Sequence, residues 1–251
     1  MVNFVGAGCG AADLITIRGK ALIETADVII YAGSLVNPQL LSYAKAGCEI
    51  HNSAYMTLDE VIAVMEQSEK NGRNTVRLHT GDPSLYGAIR EQMDRLDELD
   101  IAYDICPGVS SFCGAAAALK AEYTLPDISQ TVIITRMAGR TSVPEKESIE
   151  ALAAHGATMV IFLSTGLLKE LSESLIRGGY APDTSAAIVY KASWADEKVC
   201  RCTVETLYDT AEKNGIKKTA LITVGRFLGD DYALSKLYDE SFETEFRKAK
   251  K

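Results

Sequence analysis

The stretch His79-Thr80-Gly81-Asp82-Pro83-Ser84-Leu85-Tyr86-Gly87 decides the fold. Thr75-Val76-Arg77-Leu78 before it reads as a strand, and Ala88-Ile89-Arg90-Glu91-Gln92-Met93 after it reads as a helix. A strand that ends in Gly-Asp-Pro and turns into a helix sets a carboxylate and free backbone amides at the carboxyl edge of a sheet. That edge is where open α/β folds bind small ligands. The tripeptide alone also suits a plain capped turn, with Asp82 as N-cap and Pro83 at the first helical position. A second glycine-rich turn tips the balance towards a ligand site: Gly6-Ala7-Gly8-Cys9-Gly10, directly after the short strand Val2-Asn3-Phe4-Val5.

Outward from these turns, apolar runs alternate with amphipathic ones. A helix is expected over 15–25, a buried strand over 27–31, a short helix from Asn37-Pro38 and a third strand over 49–51. Thr57-Leu58-Asp59-Glu60 is a capping box that opens a helix to about Lys70, closed by Asn71-Gly72. A strand over 101–105 ends at Pro107-Gly108, and a small-residue helix follows over 110–119. This alternation predicts a mostly parallel sheet covered on both faces. The polar stretch 120–129, with Pro126, divides an N-terminal α/β domain (1–122) from a C-terminal α/β domain (128–251), with a ligand cleft between them. In the second domain strands are expected over 131–135, 157–163, 185–190, 199–203 and 219–224, and helices over 147–155, 168–177 and 204–214. No internal repeat or low-complexity segment is visible. The lysine-rich end, 247–251, reads as a frayed tail.

Composition excludes several classes. The 251 residues are 47% hydrophobic and 24% charged, enough for one large or two modest globular domains. No apolar run reaches the about 18 residues of a membrane span, and no basic segment leads into an apolar core as in a secretory leader. Six cysteines lack a Cys-x-x-Cys pair, so a cytoplasmic protein without disulfides is expected. His51, His79 and His155 lie far apart and give no zinc pattern, so no metal is expected. The net charge of −8 argues against nucleic acid as partner, and an anionic ligand would need a local basic patch.

Gly6-Ala7-Gly8-Cys9-Gly10-Ala11 admits three readings. As G-x-G-x-x-A after a strand it could hold a dinucleotide phosphate, but the fingerprint wants an acid at the end of the second strand. Asp27 instead stands at the start of that strand, which ends in Tyr31-Ala32-Gly33-Ser34. The loop could equally be a tight turn that tolerates no Cβ, or one that lets backbone approach a nucleoside without phosphate. His79 could serve as acid or base, since its ordinary pKa lies near neutrality, or it could be structural at a strand end.

The combination of Val5-Gly6-Ala7-Gly8-x-Gly10, Asp13-Leu14-Ile15-Thr16, 26–31, 79–87 and Pro107-Gly108-Val109-Ser110-Ser111 resembles the tetrapyrrole (corrin/porphyrin) methyltransferases, which use S-adenosylmethionine. Four further segments narrow the resemblance: 31–36, Leu125-Pro126-x-x-Ser129-Gln130-Thr131, 135–141 and Tyr190-Lys191-Ala192-Ser193-Trp194. They are similar to the branch that methylates C11 of precorrin-4 or its cobalt form in cobalamin synthesis. The resemblance runs from Val2 to about Arg247. It implies the tetrapyrrole methylase fold, a homodimer, a polycarboxylate cyclic tetrapyrrole as substrate, and a methyl donor between the domains. The implied donor contacts are Cys9, Gly81, Asp82, Leu85, Ser110, Ser111, Leu163 and Ala192. Cys9 departs from the proline usual there and reads as packing. Asp82 would hold polar parts of the donor or anchor its loop, and Asp82, His79 and Tyr86 are the catalytic candidates. Arg136, Arg140 and Lys146 form a basic loop suited to carboxylates, although Glu145 and Glu147 dilute its charge as in a solvated surface loop. Trp194, the only tryptophan, would flank the macrocycle or simply pack. Three other readings remain: a relative that methylates another ring carbon or uroporphyrinogen, a nicotinamide-dependent oxidoreductase, and a non-catalytic tetrapyrrole carrier.

Overall fold

Val2–Gly6 is buried at every position, as expected of a strand covered on both faces. The computed structural model describes residues 1–250. The chain forms two compact units. The first is Met1–Ala115 with Lys191–Glu197, and the second is Ala116–Tyr190 with the chain after Glu197. In order, the elements up to residue 119 are β1 (Val2–Gly6), α1 (Ile17–Thr25), β2 (Val28–Tyr31), β3 (Glu49–Asn52), α2 (Leu58–Lys70), β4 (Thr75–His79), α3 (Arg90–Glu98), β5 (Tyr103–Cys106) and α4 (Ser111–Leu119).

The first sheet is parallel throughout, in the order β3-β2-β4-β1-β5. Alternation along the strands sends Val5, Ile29, Val76 and Leu78 to one face, where they pack with Ile23 of α1. Phe4, Val28 and Ile30 go to the other, against Val61, Ile62 and Met65 of α2 and Leu96 of α3. The capping box of α2 is formed: Glu60 N–H donates to Thr57 Oγ1 at 3.3 Å, and Thr57 N–H donates to Glu60 Oε2 at 2.7 Å. The buried Arg77 on β4 gives its Nε–H to Gln92 Oε1 at 2.9 Å and an Nη1–H to Ile30 O at 3.1 Å. Burial lowers its pKa to about 10, so it stays charged at neutral pH.

The second unit continues with β6 (Val132–Arg136), α5 (Ile149–Ala153), β7 (Thr158–Phe162), α6 (Leu168–Arg177), β8 (Ser185–Tyr190), β9 (Lys198–Thr203), α7 (Leu207–Lys213) and β10 (Ala220–Val224). Its sheet, β6-β7-β10-β8-β9, corrects the expectation of repeated parallel alternation. Only β6 and β7 are parallel; β10 pairs antiparallel with β7 and β8, and β8 antiparallel with β9. The segment 191–197 is too short for the crossover that parallel neighbours need, which takes about a dozen residues or more. Its core gathers Met159, Ile161, Ile188 and Ile222 from the strands with Leu171 and Leu175 of α6 and Leu207 of α7.

Some element limits differ from expectation. The helix after the Gly-Asp-Pro turn starts only at Arg90, so Asp82 is not its N-cap. The helix expected over 204–214 begins at Leu207, because Thr203 N–H bonds to Thr206 Oγ1 at 2.9 Å and holds a turn there. The end of the chain is tied down at Arg247, whose Nη2 donates to Leu237 O at 2.7 Å and Asp239 O at 2.8 Å. Residue 251 of the expected frayed tail lies outside the described residues.

Candidate functional site

In the first sheet β1 and β4 are neighbours, but the chain leaves β1 towards β2 and leaves β4 towards β5, in opposite directions. Such a reversal opens a crevice at the carboxyl edge of a parallel sheet. The glycine loop and the Gly-Asp-Pro loop both emerge there. They are joined by a two-residue antiparallel bridge, Gly8 N–H to Gly81 O at 3.3 Å and Gly81 N–H to Gly8 O at 3.0 Å. Ala7 N–H donates to His79 O at 2.7 Å just below it. The loop after β5 closes on the same point. A Cβ built on Gly6 would meet Gly108 Cα at 2.5 Å and Gly81 O at 2.6 Å. Three glycine backbones therefore meet: a side chain on Gly6 or Gly108 would clash there, and Gly81 holds φ +63°, which favours glycine.

Asp82 holds this node. One carboxylate oxygen accepts Ser84 N–H at 2.9 Å and the Ser84 hydroxyl; the other accepts Gly108 N–H at 2.9 Å. The carboxylate thus links the loops after β4 and β5. Partial burial, the largest single influence, raises its pKa. The Ser84 hydroxyl, the Gly108 amide and the Ser84 amide together outweigh burial, and the net pKa lies below the ordinary carboxylate value. Asp82 is therefore ionised at neutral pH. Beside it, the Thr80 hydroxyl oxygen is buried without a hydrogen-bond partner. Ser110 and Ser111 lie against Gly81: a Cβ on Gly81 would sit 3.4 Å from Ser111 N and 3.5 Å from Ser110 Cα. Leu85 is half-buried and Tyr86 is 44% exposed, with left-handed backbone at φ +56°.

Residues 191–197 complete this half of the site within the same unit. Ala192 is buried against the start of α4, where a Cβ on Gly114 would meet Cys9 Sγ at 2.9 Å and Ala192 Cβ at 3.3 Å. Trp194 packs over the glycine loop: a Cβ on Gly10 would lie 2.6 Å from its Nε1. Lys191 Nζ lies 5.4 Å from the centre of the Trp194 ring, a cation–π distance. Cys9 is 6% exposed, consistent with packing. Ten of the candidate residues thus lie in one unit: Cys9, His79, Gly81, Asp82, Leu85, Tyr86, Ser110, Ser111, Ala192 and Trp194.

The remaining candidates lie in the second unit. Leu163, after β7, is 66% exposed with φ +52°, an uncommon state for an exposed leucine. Arg140 and Lys146 are exposed. Arg136 is committed to its own loop: its Nη1 donates to Met137 O and Thr141 O, each at 3.2 Å, and its Nη2 to Ser142 O at 2.7 Å. Its guanidinium shapes the loop that presents Arg140. Among the described residues no group of three or more His, Cys, Asp or Glu could hold a metal ion. Sequence reasoning gave no role to Thr80, Gly108 or Ser193. The Pro-Gly after β5 was a usable signal for Gly108; Ser193 had none, because its partner Ala11 lies 182 residues away.

His79 is 4% exposed, and its Nε2 is buried without a partner. Burial first, and the neighbouring Arg77 charge second, lower its pKa to about 3. It is a neutral core residue at physiological pH. The unfolded chain takes up its proton near the ordinary 6.5, while the folded chain waits until about 3. Stability from this group is complete above pH 6.5 and is lost as pH falls towards 3. His79→Phe is expected to flatten that slope in chemical denaturation between pH 6.5 and 4; an unchanged slope would refute the assignment.

The model of the tetrapyrrole (corrin/porphyrin) methylases matches residues 1–208. A cobalt-precorrin-4 C(11)-methyltransferase of Methanocaldococcus jannaschii is 55% identical over 100% of this chain and 97% of its own. A precorrin-4 C(11)-methyltransferase of a Sinorhizobium species is 44% identical over 98% of each chain. The X-ray structure of a cobalt-precorrin-4 methyltransferase superposes with a TM-score of 0.89 at 45% identity, covering 91% of this chain and 96% of the other.

Proposed function

Because this chain belongs to the tetrapyrrole (corrin/porphyrin) methylases, we propose that it transfers a methyl group from S-adenosylmethionine to C11 of precorrin-4 or its cobalt form in cobalamin biosynthesis. The observation that carries the reading is the full-length likeness to enzymes of that reaction, whose names include both forms of the substrate. The glycine node fits the donor. Its backbone is stripped of Cβ atoms at the crevice, Asp82 supplies an ionised carboxylate, and the orphaned Thr80 hydroxyl points to a polar ligand. Cys9, Gly81, Asp82, Leu85, Ser110, Ser111 and Ala192 would hold it.

When bound, S-adenosylmethionine supplies a methyl group on a positively charged sulfur, already activated for in-line displacement by carbon. The protein's task is to position two ligands, an effect that can be worth roughly 7–11 kcal/mol. Asp82 fixes the loops after β4 and β5 relative to each other before any ligand arrives. The unusual backbone of Tyr86, Leu163, Lys191 and Ser193 suits surfaces shaped for a ligand rather than for folding alone. Arg140 and Lys146 meet the substrate's carboxylates, and Arg136 holds the loop that carries Arg140. A homodimer belongs to the same reading; Ile17 and Tyr55 are exposed apolar side chains available to a second copy. A cytoplasmic location fits the six free cysteines, and no helix of the described residues is long and apolar enough to cross a membrane.

Arg136→Ala is expected to raise the KM for the tetrapyrrole roughly tenfold, because three loop carbonyls lose their donors, net losses of about 1 kcal/mol or less each. The KM for the donor should not change. An unchanged tetrapyrrole KM in steady-state assays would show that the loop does not meet the substrate. Calorimetric titration with S-adenosylhomocysteine tests the donor half of the reading. Binding near one per chain supports it, and no binding at high micromolar concentration counts against it.

A further inference from the structure

Residues 191–197 form a turn braced from within. Lys191 Nζ meets Asp196 Oδ2 at 2.6 Å, Ser193 N–H donates to Glu197 Oε2 at 2.6 Å, and Trp194 N–H donates to Lys191 O at 3.0 Å. Within it Ser193 holds φ +65°, a left-handed conformation unfavourable to a residue with a Cβ. That backbone carries the Ser193 hydroxyl to the glycine loop. Its Oγ accepts Ala11 N–H at 2.9 Å and lies 3.4 Å from Cys9 Sγ, within hydrogen-bond reach of a thiol. The Trp194 ring closes over Gly10, and Asn37 Nδ2 donates to Gly10 O at 2.9 Å. The glycine loop is thus held at residues 9, 10 and 11 by side chains from outside it.

We infer that Ser193 is a positioning residue for the methyl-donor loop, holding residues 9–11 in the binding conformation through the Ala11 amide and the Cys9 thiol. The inference rests on the proposed reading of this loop as part of the donor site. Ser193 touches neither ligand in this role; it acts through Cys9 and Ala11. A loop that samples other conformations loses affinity in proportion as the fraction it spends in the competent one falls. Cys9 has a part of its own here, because a proline at that position would offer the serine no partner.

The test is Ser193→Gly, which removes the hydroxyl and relieves the left-handed backbone in one change. Relief and loss offset, so the thermal midpoint without ligand is expected to move by no more than about 2 °C. The Kd for S-adenosylhomocysteine, by calorimetry, is expected to rise roughly 5- to 30-fold, the range of one lost interaction of this kind. Amide hydrogen exchange at residues 9–11 should quicken in the absence of ligand. Cys9→Ala, which keeps the Ala11 bond, should raise the Kd less than Ser193→Gly does. An unchanged Kd in Ser193→Gly overturns the inference, as does a fall in midpoint that accounts for the whole loss, or a larger effect from Cys9→Ala. If the unaltered protein fails to bind S-adenosylhomocysteine, the donor reading has failed. Exchange at Ala11 then decides the positioning role alone, and unaltered exchange overturns it.

Discussion

Asp82→Ala is expected to weaken S-adenosylhomocysteine binding by about 100-fold or more. The carboxylate ties the loops after β4 and β5 by accepting from Ser84 and from Gly108. Hydrogen bonds to a charged group are worth about 1.5–3 kcal/mol each, and one such loss already approaches a factor of 100. The change also leaves the Gly108 amide unpaired beside backbone packed too closely to relax around it. Asp82→Asn should fall between, because one amide oxygen serves one loop but its NH2 group repels the other donor. The pH dependence has a fixed sign. The folded pKa of Asp82 lies below its ordinary value of 3.8, so its contribution is complete above about pH 4 and is lost as pH falls through the lower folded value. An Asp82→Ala protein that binds with unaltered affinity would remove Asp82 from the account.

Gly6→Ala carries the second large effect. The new methyl would lie 2.5 Å from Gly108 Cα and 2.6 Å from Gly81 O, both main-chain atoms, so no flexible side chain can yield. The cost is expected to be about 3 kcal/mol in chemical denaturation, the upper part of the range for overpacking, together with loss of donor binding. Gly166→Ala is the control. A Cβ there meets nothing within 4 Å, and its stability should change by no more than about 0.5 kcal/mol. If Gly6→Ala were as mild as Gly166→Ala, the three loops would not meet as closely as described.

How much the sequence tells depends on the range over which its signals act. The first sheet was legible because β1, β2 and β4 are short runs rich in Val, Ile, Leu and Phe, spaced by helical segments. The capping box of α2 is local and formed as read. The second sheet was misread because alternation does not reveal that β10 inserts between β7 and β8. Only the shortness of the 191–197 connection hinted at antiparallel pairing. At the site, Asp82 was read as an anchor of its loop or a contact of the donor; its bond to Gly108, 26 residues on, extends the anchor to a second loop. Arg136 was read as a carboxylate binder, and three carbonyls of its own loop take up the fork instead. His79 looked titratable because a sequence shows a residue type and not its burial.

The most direct test of the central claim is the product of a single reaction. The purified protein is incubated with precorrin-4, or its cobalt form, and S-adenosylmethionine labelled with carbon-13 in its methyl group, and the tetrapyrrole is read by NMR. One labelled methyl bonded to C11, absent when the donor is omitted, is the result the account predicts. Label at another ring carbon, or none from a protein that binds S-adenosylhomocysteine, would contradict it.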